Sequence, residues 1–198
     1  MTLRTALLLT CAVTAPLMAS VPSSVPAWLE PSRDGKAFVS RMAEGSLLWT
    51  GSSAVLQFDG SPEQKAVQIE WKLRGANAAP ALQGVERLES RSNYVQGRNR
   101  QNWRMGVPHY GKALARAVYP GIDVVWYAQG RMLEYDFIVA PGADPSPIAM
   151  TFDGASHPSI TPEGDLLLNA GGMTIRQHKP VVTQNIGGRT VNVDARYQ

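Results

Sequence analysis

Three carboxylates near the middle of the chain, Asp123, Glu134 and Asp136, have the types and spacing that could support chemistry. They lie in two segments, 122–127 and 132–139, in which apolar residues recur at every second position. This period is typical of a β-strand with one buried face, and two such strands joined by a short glycine-containing connection predict a hairpin. The hairpin would bring all three carboxylates to one face, where acid–base catalysis, cation binding and ion pairing are the available chemistries.

The register of this hairpin decides which carboxylates meet. A two-residue turn at 129–130 predicts that Asp123 lies directly opposite Asp136, with Glu134 opposite Val125. The apolar side chains that would then face inward are Ile122, Val124, Trp126, Leu133, Tyr135 and Phe137. A one-residue slip would expose all of them, so the inward face also fixes the outward position of both aspartates.

Two carboxylates at this distance repel each other unless a proton or a cation lies between them. The interpretation we favour is a structural pair bridged by an arginine, with Arg104 and Arg116 as candidate partners. Calcium bound by Asp123 and Asp136 is a second interpretation, because Ca²⁺ takes several carboxylate oxygens. Catalysis is a third, since two carboxylates about 5 Å apart suit retaining glycoside hydrolysis. We expect an enzyme to expose them in a concave pocket beside an aromatic ring, and a structural pair to be covered and salt-bridged.

Aromatic and basic residues are interleaved in the same part of the chain. They are Tyr94, Trp103, Tyr110, Tyr119, Trp126 and Tyr127, with Arg98, Arg100, Arg104 and Arg116. Such interleaving could bind sugar rings or single-stranded nucleic acid, but we favour rings packed in the core and an exposed loop around Arg98 and Arg100. The formal charge of +3, from 19 basic and 16 acidic residues, also argues against a nucleic-acid partner. The three histidines lack ligand spacing and Cys11 is the single cysteine, so we predict no metal site and no cofactor.

Short segments with apolar residues at alternate positions recur along the rest of the chain, separated by turns rich in glycine and proline. The predicted strands are 54–58, 67–73, 122–127, 132–139, 148–152, 165–168, 173–177, 181–185 and 190–197. This spacing predicts an all-β chain that forms an antiparallel β-sandwich-like domain. Residues 112–118 have a helix-forming composition, but the segment is too short for propensity to decide, and we predict an edge strand or a single turn.

The first 19 residues have the three parts of a secretory signal: a basic start with Arg4, an apolar run over 5–13, and small residues up to Ala19. The apolar run is shorter than the roughly 20 residues that a membrane-spanning helix needs. We therefore predict export with cleavage before Ser20, which leaves no transmembrane segment and no cysteine and suits an oxidising compartment. A lipoprotein signal that uses Cys11 is the rival interpretation.

Residues 20–35 are rich in proline and serine and predict a linker, in which Trp28 alone could pack against a core. The β-sandwich-like domain is predicted over 36–198. In its last segment, apolar residues at alternate positions continue to the chain end: Val191, Val193, Ala195 and Tyr197. We interpret the chain as the front part of a longer protein, with its domain truncated at the C-terminus.

Several motifs carry a resemblance to a known family. They are Ser92-Asn93-Tyr94-Val95, Trp103-Arg104, Val107-Pro108, and the runs 118–127, 133–145, 164–168 and 177–181. Over about residues 38–197, the set resembles the uncharacterised N-terminal domain of secreted bacterial proteins that carry SBBP-type β-propeller repeats or immunoglobulin-like modules behind it. The resemblance implies a β-rich extracellular module and no catalytic residue. The motif residues of structural interest are Tyr119, Pro120, Gly121, Asp123, Trp126, Glu134, Tyr135, Asp136 and Phe137.

We therefore predict a secreted, non-enzymatic structural or adhesive module that forms the front domain of a larger cell-surface protein. Its location would be extracellular, at the cell surface or in the periplasm, with downstream propeller or immunoglobulin-like modules or cell-surface polymers as partners. The alternative is a carbohydrate-binding or carbohydrate-active domain that uses the face carrying Asp123, Glu134 and Asp136.

Overall fold

The computed structural model describes residues 7–14, 28–42, 45–60, 65–129 and 132–198. Within these residues the chain forms β-strands and one short 3-10 turn, Arg100–Asn102. The strands are β1 (Leu7–Thr14), β2 (Glu30–Pro31), β3 (Phe38–Met42), β4 (Gly45–Trp49), β5 (Ser53–Phe58), β6 (Val67–Leu73), β7 (Ala81–Tyr94), β8 (Arg104–Tyr119), β9 (Ile122–Gln129), β10 (Met132–Val139), β11 (Met150–Asp153), β12 (Ser156–Ile160), β13 (Leu166–Ala170), β14 (Met173–Gln177), β15 (Val181–Ile186) and β16 (Arg189–Val193).

The larger of two antiparallel sheets contains ten strands, and its path runs β12-β13-β14-β1-β10-β9-β8-β7. β15 also pairs with β1, and β16 pairs with β15. β1 therefore pairs with β10 along one edge and with β15 and β14 along the other. The β9–β10 hairpin, which carries the candidate carboxylates, lies between β1 and β8 in this sheet.

The smaller sheet has six strands in the order β11-β6-β5-β4-β3-β2. Strands β2 to β6 follow one another along the chain and pair in sequence, so this sheet is a meander closed at one side by β11. Leu29, just before β2, exchanges two backbone hydrogen bonds with Tyr110 of β8, at 2.9 and 2.8 Å. This bridge joins the edge of the smaller sheet to the larger one.

Alternation turns one face of each sheet toward a shared core, and large aromatic rings fill its centre. Trp49 and Trp71 from the smaller sheet meet Trp126 and Tyr135 from the larger sheet, with ring centroids 5.1 to 6.1 Å apart. Phe137 extends the cluster, and all of these side chains are at most 1% exposed. A cavity of about 20 Å³ beside Trp71 and Trp126 has room for about one water molecule. The aromatic cluster therefore fixes the position of the β9–β10 hairpin.

The predicted fold class is confirmed, because the described residues form an all-β, antiparallel, sandwich-like structure. Strands 67–73, 132–139 and 173–177 have the predicted bounds, whereas β2, β3, β4, β7, β12 and the first part of β8 were not predicted. For residues 112–118, the strand alternative is confirmed and the edge position is wrong. These residues lie within β8, which pairs with β7 on one side and β9 on the other. Pairing on both edges overrides the local helix propensity.

The N-terminal predictions fall partly outside the described residues, since these leave out 1–6 and 15–27 and with them the predicted cleavage site. The apolar part of the predicted signal, Leu7–Thr14, forms β1. The predicted linker at 20–35 is shorter than expected, because Leu29 is fully buried and β2 follows it. Among the described residues, no helix is long and apolar enough to cross a membrane. Export and cleavage stay a prediction.

Candidate functional site

The β9–β10 hairpin carries the three carboxylates singled out from the sequence, and its register differs from the prediction. The outward pairs are Asp123 with Ile138, Val125 with Asp136, and Tyr127 with Glu134. The predicted direct pair of Asp123 and Asp136 is therefore wrong, and with it the premise of a calcium ion held between them. The pairing is shifted by two residues, and a two-residue shift preserves the direction of every side chain. The inward face is thus the predicted one.

Asp123 forms an ion pair with Arg116, one of the two arginines considered as its partner. Its Oδ2 lies 3.4 Å from Nη1 of Arg116, and its Oδ1 accepts a hydrogen bond of 2.7 Å from the backbone N–H of Ala117. Ala117 has a φ of 52°, a left-handed conformation that costs free energy for a residue with a Cβ. The carboxylate stabilises this irregular point of β8. The second candidate, Arg104, donates instead to the carbonyl of Pro31 at 2.8 Å.

Glu134 and Asp136 surround the phenol of Tyr127 on the outward face of the hairpin. The Tyr127 hydroxyl lies 3.1 and 3.2 Å from the two oxygens of Asp136. Burial, reinforced by the negative charges of Asp136 and Glu134, raises the pKa of Tyr127 well above its usual value. The phenol stays protonated and donates to the carboxylate, while the Lys112 ammonium lies 5.6 Å from its ring centroid. Both carboxylates are less than a tenth exposed.

The other motif residues belong to the core and its turns. Tyr119 is buried and donates from its hydroxyl to the carbonyl of Arg74 at 2.7 Å. Pro120 and Gly121 form the turn from β8 to β9, where Gly121 has a φ of 73° and a Cβ would lie 2.7 Å from that of Ala143. The buried aromatic motif residues of the hairpin are Trp126, Tyr135 and Phe137. Their role is packing.

A second polar cluster, which the sequence analysis missed, lies between β2 and the far half of the β7–β8 hairpin. Glu30 and His109 are each 3% exposed. Tyr94 donates a 2.5 Å hydrogen bond to Glu30 Oε1, and His109 Nε2 lies 3.8 Å from Glu30 Oε2. Ser90 Oγ is 3.0 Å from Nδ1 of His109, and Ser92 Oγ is 2.7 Å from its Nε2. Side chains from three strands thus meet at one buried imidazole.

This cluster contains the residue types of a nucleophilic triad but not its geometry. In such a triad, the acid and the nucleophile contact different nitrogens of the imidazole. Here Ser90 faces Nδ1 and Ser92 faces Nε2, while Glu30 Oε2 lies 3.8 Å from Nε2, too far for the hydrogen bond by which the acid of a triad holds the imidazole. The ring of Trp28 also stacks on His109, with centroids 4.5 Å apart. The contacts hold the imidazole in place, and they tie β2 to the hairpin.

One sequence signal could have revealed part of this cluster. Ser90, Ser92 and Tyr94 place three hydroxyl groups at alternate positions, hence on one face of a strand. Their partners His109 and Glu30 come from other strands, and Tyr94 and Glu30 are 64 residues apart. Only the tertiary pairing brings these groups together.

A third polar site surrounds Asp165 at the start of β13. Its Oδ1 accepts a 2.9 Å hydrogen bond from the backbone N–H of Lys179, and its Oδ2 lies 3.3 Å from His178 Nδ1 and 3.5 Å from Arg176 Nη1. The bond from Lys179, followed by His178 and Arg176, lowers the pKa of Asp165. Across the part of the chain that the structure describes, no three His, Cys, Asp or Glu side chains come together to hold a metal ion.

The interleaved aromatic and basic residues are divided between two places. Tyr119 and Trp126 are buried in the core, as the packing interpretation expects. Tyr94 and Trp103 are half-buried near the end of the β7–β8 hairpin. The guanidinium groups of Arg104 and Arg100 lie over these two rings, at 5.6 and 5.4 Å respectively.

Two antiparallel sheets, a shared aromatic core and covered carboxylates define an all-β, sandwich-like domain. The chain belongs to the family described as domain of unknown function DUF7948, whose model matches residues 33–198. No curated protein and no solved structure matches the chain.

Proposed function

We propose that the chain is a secreted, non-enzymatic structural or adhesive module, the front domain of a larger cell-surface protein. In that protein, SBBP-type propeller repeats or immunoglobulin-like modules would follow it, as the sequence resemblance implies. The proposal rests on the exposure of one part of the β7–β8 hairpin, the half that does not pair with β9. This half comprises residues 86–111, and we call it the arm. β8 pairs with β9 through Lys112–Tyr119, and the arm precedes that pairing.

The arm presents both of its faces to solvent along part of β7. All residues from Glu86 to Arg91 are exposed, although neighbours in a strand point to opposite faces. At its end, Val95 and Met105 are 58% and 61% exposed. A ribbon with two accessible faces and exposed apolar side chains is suited to contact a partner.

The charge of the arm indicates the chemistry of that partner. The arm contains five arginines and two acidic residues, Glu86 and Glu89, and from Ser90 to its end it has no Asp or Glu. Arg98 and Arg100 are exposed beside the half-buried ring of Trp103. Guanidinium groups beside an aromatic ring suit an anionic polysaccharide, because the ring stacks on a sugar while the guanidinium pairs with its charge. We therefore take an acidic cell-surface polymer as the partner.

The burial of the carboxylates supports a role without catalysis. Glu134 and Asp136 are covered and hydrogen-bonded around Tyr127, and Asp123 is paired with Arg116. General acid–base catalysis requires a group within reach of a substrate proton. Substitution of either Asp136 or Asp123 by Asn should accordingly affect stability and abolish no glycosidase turnover.

A binding experiment tests the adhesive role. The purified chain should bind a uronic-acid polysaccharide more tightly than a neutral glucan, and the difference should shrink at high salt because the charges are exposed. The double variant Arg98→Ala/Arg100→Ala should bind about tenfold more weakly. The matched control is Arg33→Ala/Arg189→Ala, which removes the same charge from exposed positions outside the arm. Equal losses in the two variants, or tighter binding of single-stranded nucleic acid, would contradict the proposal.

Export has a separate test. Mass spectrometry of the protein made in a bacterial host should find a mature N-terminus at Ser20 or Val21. A mature form that retains Met1, or one with a lipid on Cys11, would overturn the predicted cleavage.

A further inference from the structure

β1 links two parts of the larger sheet. Strands β7 to β10 lie on one side of it and strands β12 to β16 on the other. The path of hydrogen-bonded neighbours passes from β14 to β10 through β1, and β15 joins the sheet by pairing with β1. β1 therefore joins these two groups of strands into one sheet.

β1 is paired on both edges, continuously along β10 and in two segments on the other side. Residues Leu7 to Val13 pair in register with β10, from Val139 back to Leu133. On the other edge, Leu7 to Thr10 pair with β15, and Val13 and Thr14 pair with the end of β14. A strand in this position satisfies backbone N–H and C=O groups of three neighbours, groups that are costly to leave unpaired when buried.

The same residues are the apolar part of the predicted export signal. Cleavage before Ser20 would remove β1 from the exported chain and leave facing edges on β10 and on β14 and β15. Unpaired edges beside an apolar core bind additional strands readily. Removal of the signal would thus open a gap shaped for one extended segment.

We propose that the gap between β10 and β14/β15 is a strand-acceptor site that, in the exported protein, binds an extended segment of another polypeptide. In the structure of the uncleaved chain, Leu7–Thr14 occupies this site. This inference rests on the export part of the proposed function, and it adds a partner and a binding site to it.

The register defines the chemistry of the acceptor site on its core side. The β10 residues that face the core are Leu133, Tyr135, Phe137 and Val139, all at most 6% exposed. The positions opposite them in β1 are 13, 11, 9 and 7. On the other edge, position 9 is opposite Val182, which is also buried. The bound segment must therefore be apolar at alternate positions.

The outward side of the acceptor site is acidic. Position 12 is opposite Glu134 and position 10 is opposite Asp136. Residues directly opposite in an antiparallel pair interact, and opposite charges there are favourable. A segment with lysine or arginine at these positions complements the site, so the expected partner is an amphipathic strand, apolar on one face and basic on the other.

A nicked form of the full chain tests the site. A specific protease sequence is inserted between Ala19 and Ser20, and the folded protein is cut there. The N-terminal fragment should co-elute with the rest of the chain in size-exclusion chromatography. An excess of labelled peptide with the sequence of residues 7–14 should displace it. In hydrogen exchange, amides of β10 and β15 should lose protection when the fragment is removed and regain it when the peptide is added.

Three further peptides sharpen the test. One with Ala12→Lys should bind up to about fivefold more tightly than the parent peptide because of Glu134, and the matched Ala12→Glu peptide should bind more weakly. A peptide of the same composition, rearranged so that apolar residues no longer alternate, should not bind.

Several results would overturn the proposal. The fragment could leave without any change in the protection of β10, the parent and rearranged peptides could bind alike, or the nicked chain could fill the gap by dimerising. Failure of export is recognised separately, by Met1 at the N-terminus of the exported protein. A mature Ser20 terminus with no peptide binding defeats the acceptor site alone.

Discussion

The core between the two sheets and the polar sites outside it hold this molecule by opposite kinds of interaction. In the core, Trp49, Trp71 and Trp126 meet across the sheets and are at most 1% exposed. Outside it, two buried polar side chains, Glu30 and His109, join β2 to the arm. The core rings stabilise the fold by burying apolar surface, whereas the polar sites stabilise it through hydrogen bonds and ion pairs that require a defined geometry.

This difference has a thermodynamic consequence. Burial of apolar area is non-directional and insensitive to protonation, so the core should respond to the volume of a substitution and not to pH. A polar site depends on the charge and hydrogen-bonding state of each member, and loss of one partner leaves another buried group unsatisfied. The variants below separate these responses, from the largest expected effect to the smallest.

Removing a ring from the core should have the largest effect. Trp126→Ala should lower the free energy of unfolding by about 3–5 kcal/mol, the range for buried aromatics, and Phe137→Ala should act similarly. The matched control is Ile138→Ala in the same hairpin, because Ile138 is 37% exposed and should cost about 0.5 kcal/mol. Urea denaturation at neutral pH measures all three. A loss under about 1 kcal/mol for Trp126→Ala would contradict the inward face.

Removing the imidazole outside the core should have a smaller and more local effect. His109→Ala should cost about 1–3 kcal/mol, because Glu30, Ser90 and Ser92 lose a shared partner. Hydrogen exchange should accelerate first at the amides of Leu29 and Tyr110, which bridge β2 to β8. Equal acceleration throughout β9 would mean that the arm and the core unfold as one unit.

Asp165→Asn should reveal the pH dependence of a polar site, with a cost of about 1 kcal/mol at pH 7. The pKa of Asp165 is lowered in the folded chain, so the carboxylate adds stability above its unfolded pKa of about 3.9. That contribution is lost as pH falls through the lower folded pKa. The difference between wild type and variant should therefore shrink from pH 4 to about pH 2 in chemical denaturation. A difference independent of pH would contradict the role of the charge.

Asp123→Asn should have the smallest effect, under about 1 kcal/mol, because the Arg116 pair is partly exposed. Asn retains the oxygen that accepts from Ala117, so the irregular point of β8 should persist. Added Ca²⁺ should leave the melting temperature of wild type and variant unchanged. A rise of several degrees in wild type alone would restore the calcium interpretation.

Alternation in the sequence was sufficient to predict β6, β10 and β14 with their bounds, since a period of two is a local property of the residues. It also predicted which side chains of the β9–β10 hairpin face inward. It did not predict β7, and of β8 it indicated only 112–118, because the long hairpin is exposed along much of its length and lacks a regular apolar face. The pattern of burial there depends on pairing with β9 and on β2, which is remote in sequence.

In the candidate sites, too, the sequence predicted local features and not the pairing of residues from different strands. Arg116 was one of two nearby arginines predicted as the partner of Asp123, whereas the predicted pairing of Asp123 with Asp136 was wrong by two positions. Sequence period specifies a face but not a register, because a shift of two residues leaves every face unchanged. Turn geometry and the aromatic packing of Trp126 against Tyr135 select among such shifts.

The sequence by itself determined the all-β class, the alternating faces of individual strands and the apolar aromatic content of the core. Only the tertiary structure decided the register of the hairpin, the meeting of Glu30 with His109, and the place of residues 7–14 between β10 and β15. The physical reason is range. Side-chain direction follows from the local geometry of an extended backbone, whereas pairing depends on groups that are distant in sequence and become neighbours only when the sheets assemble.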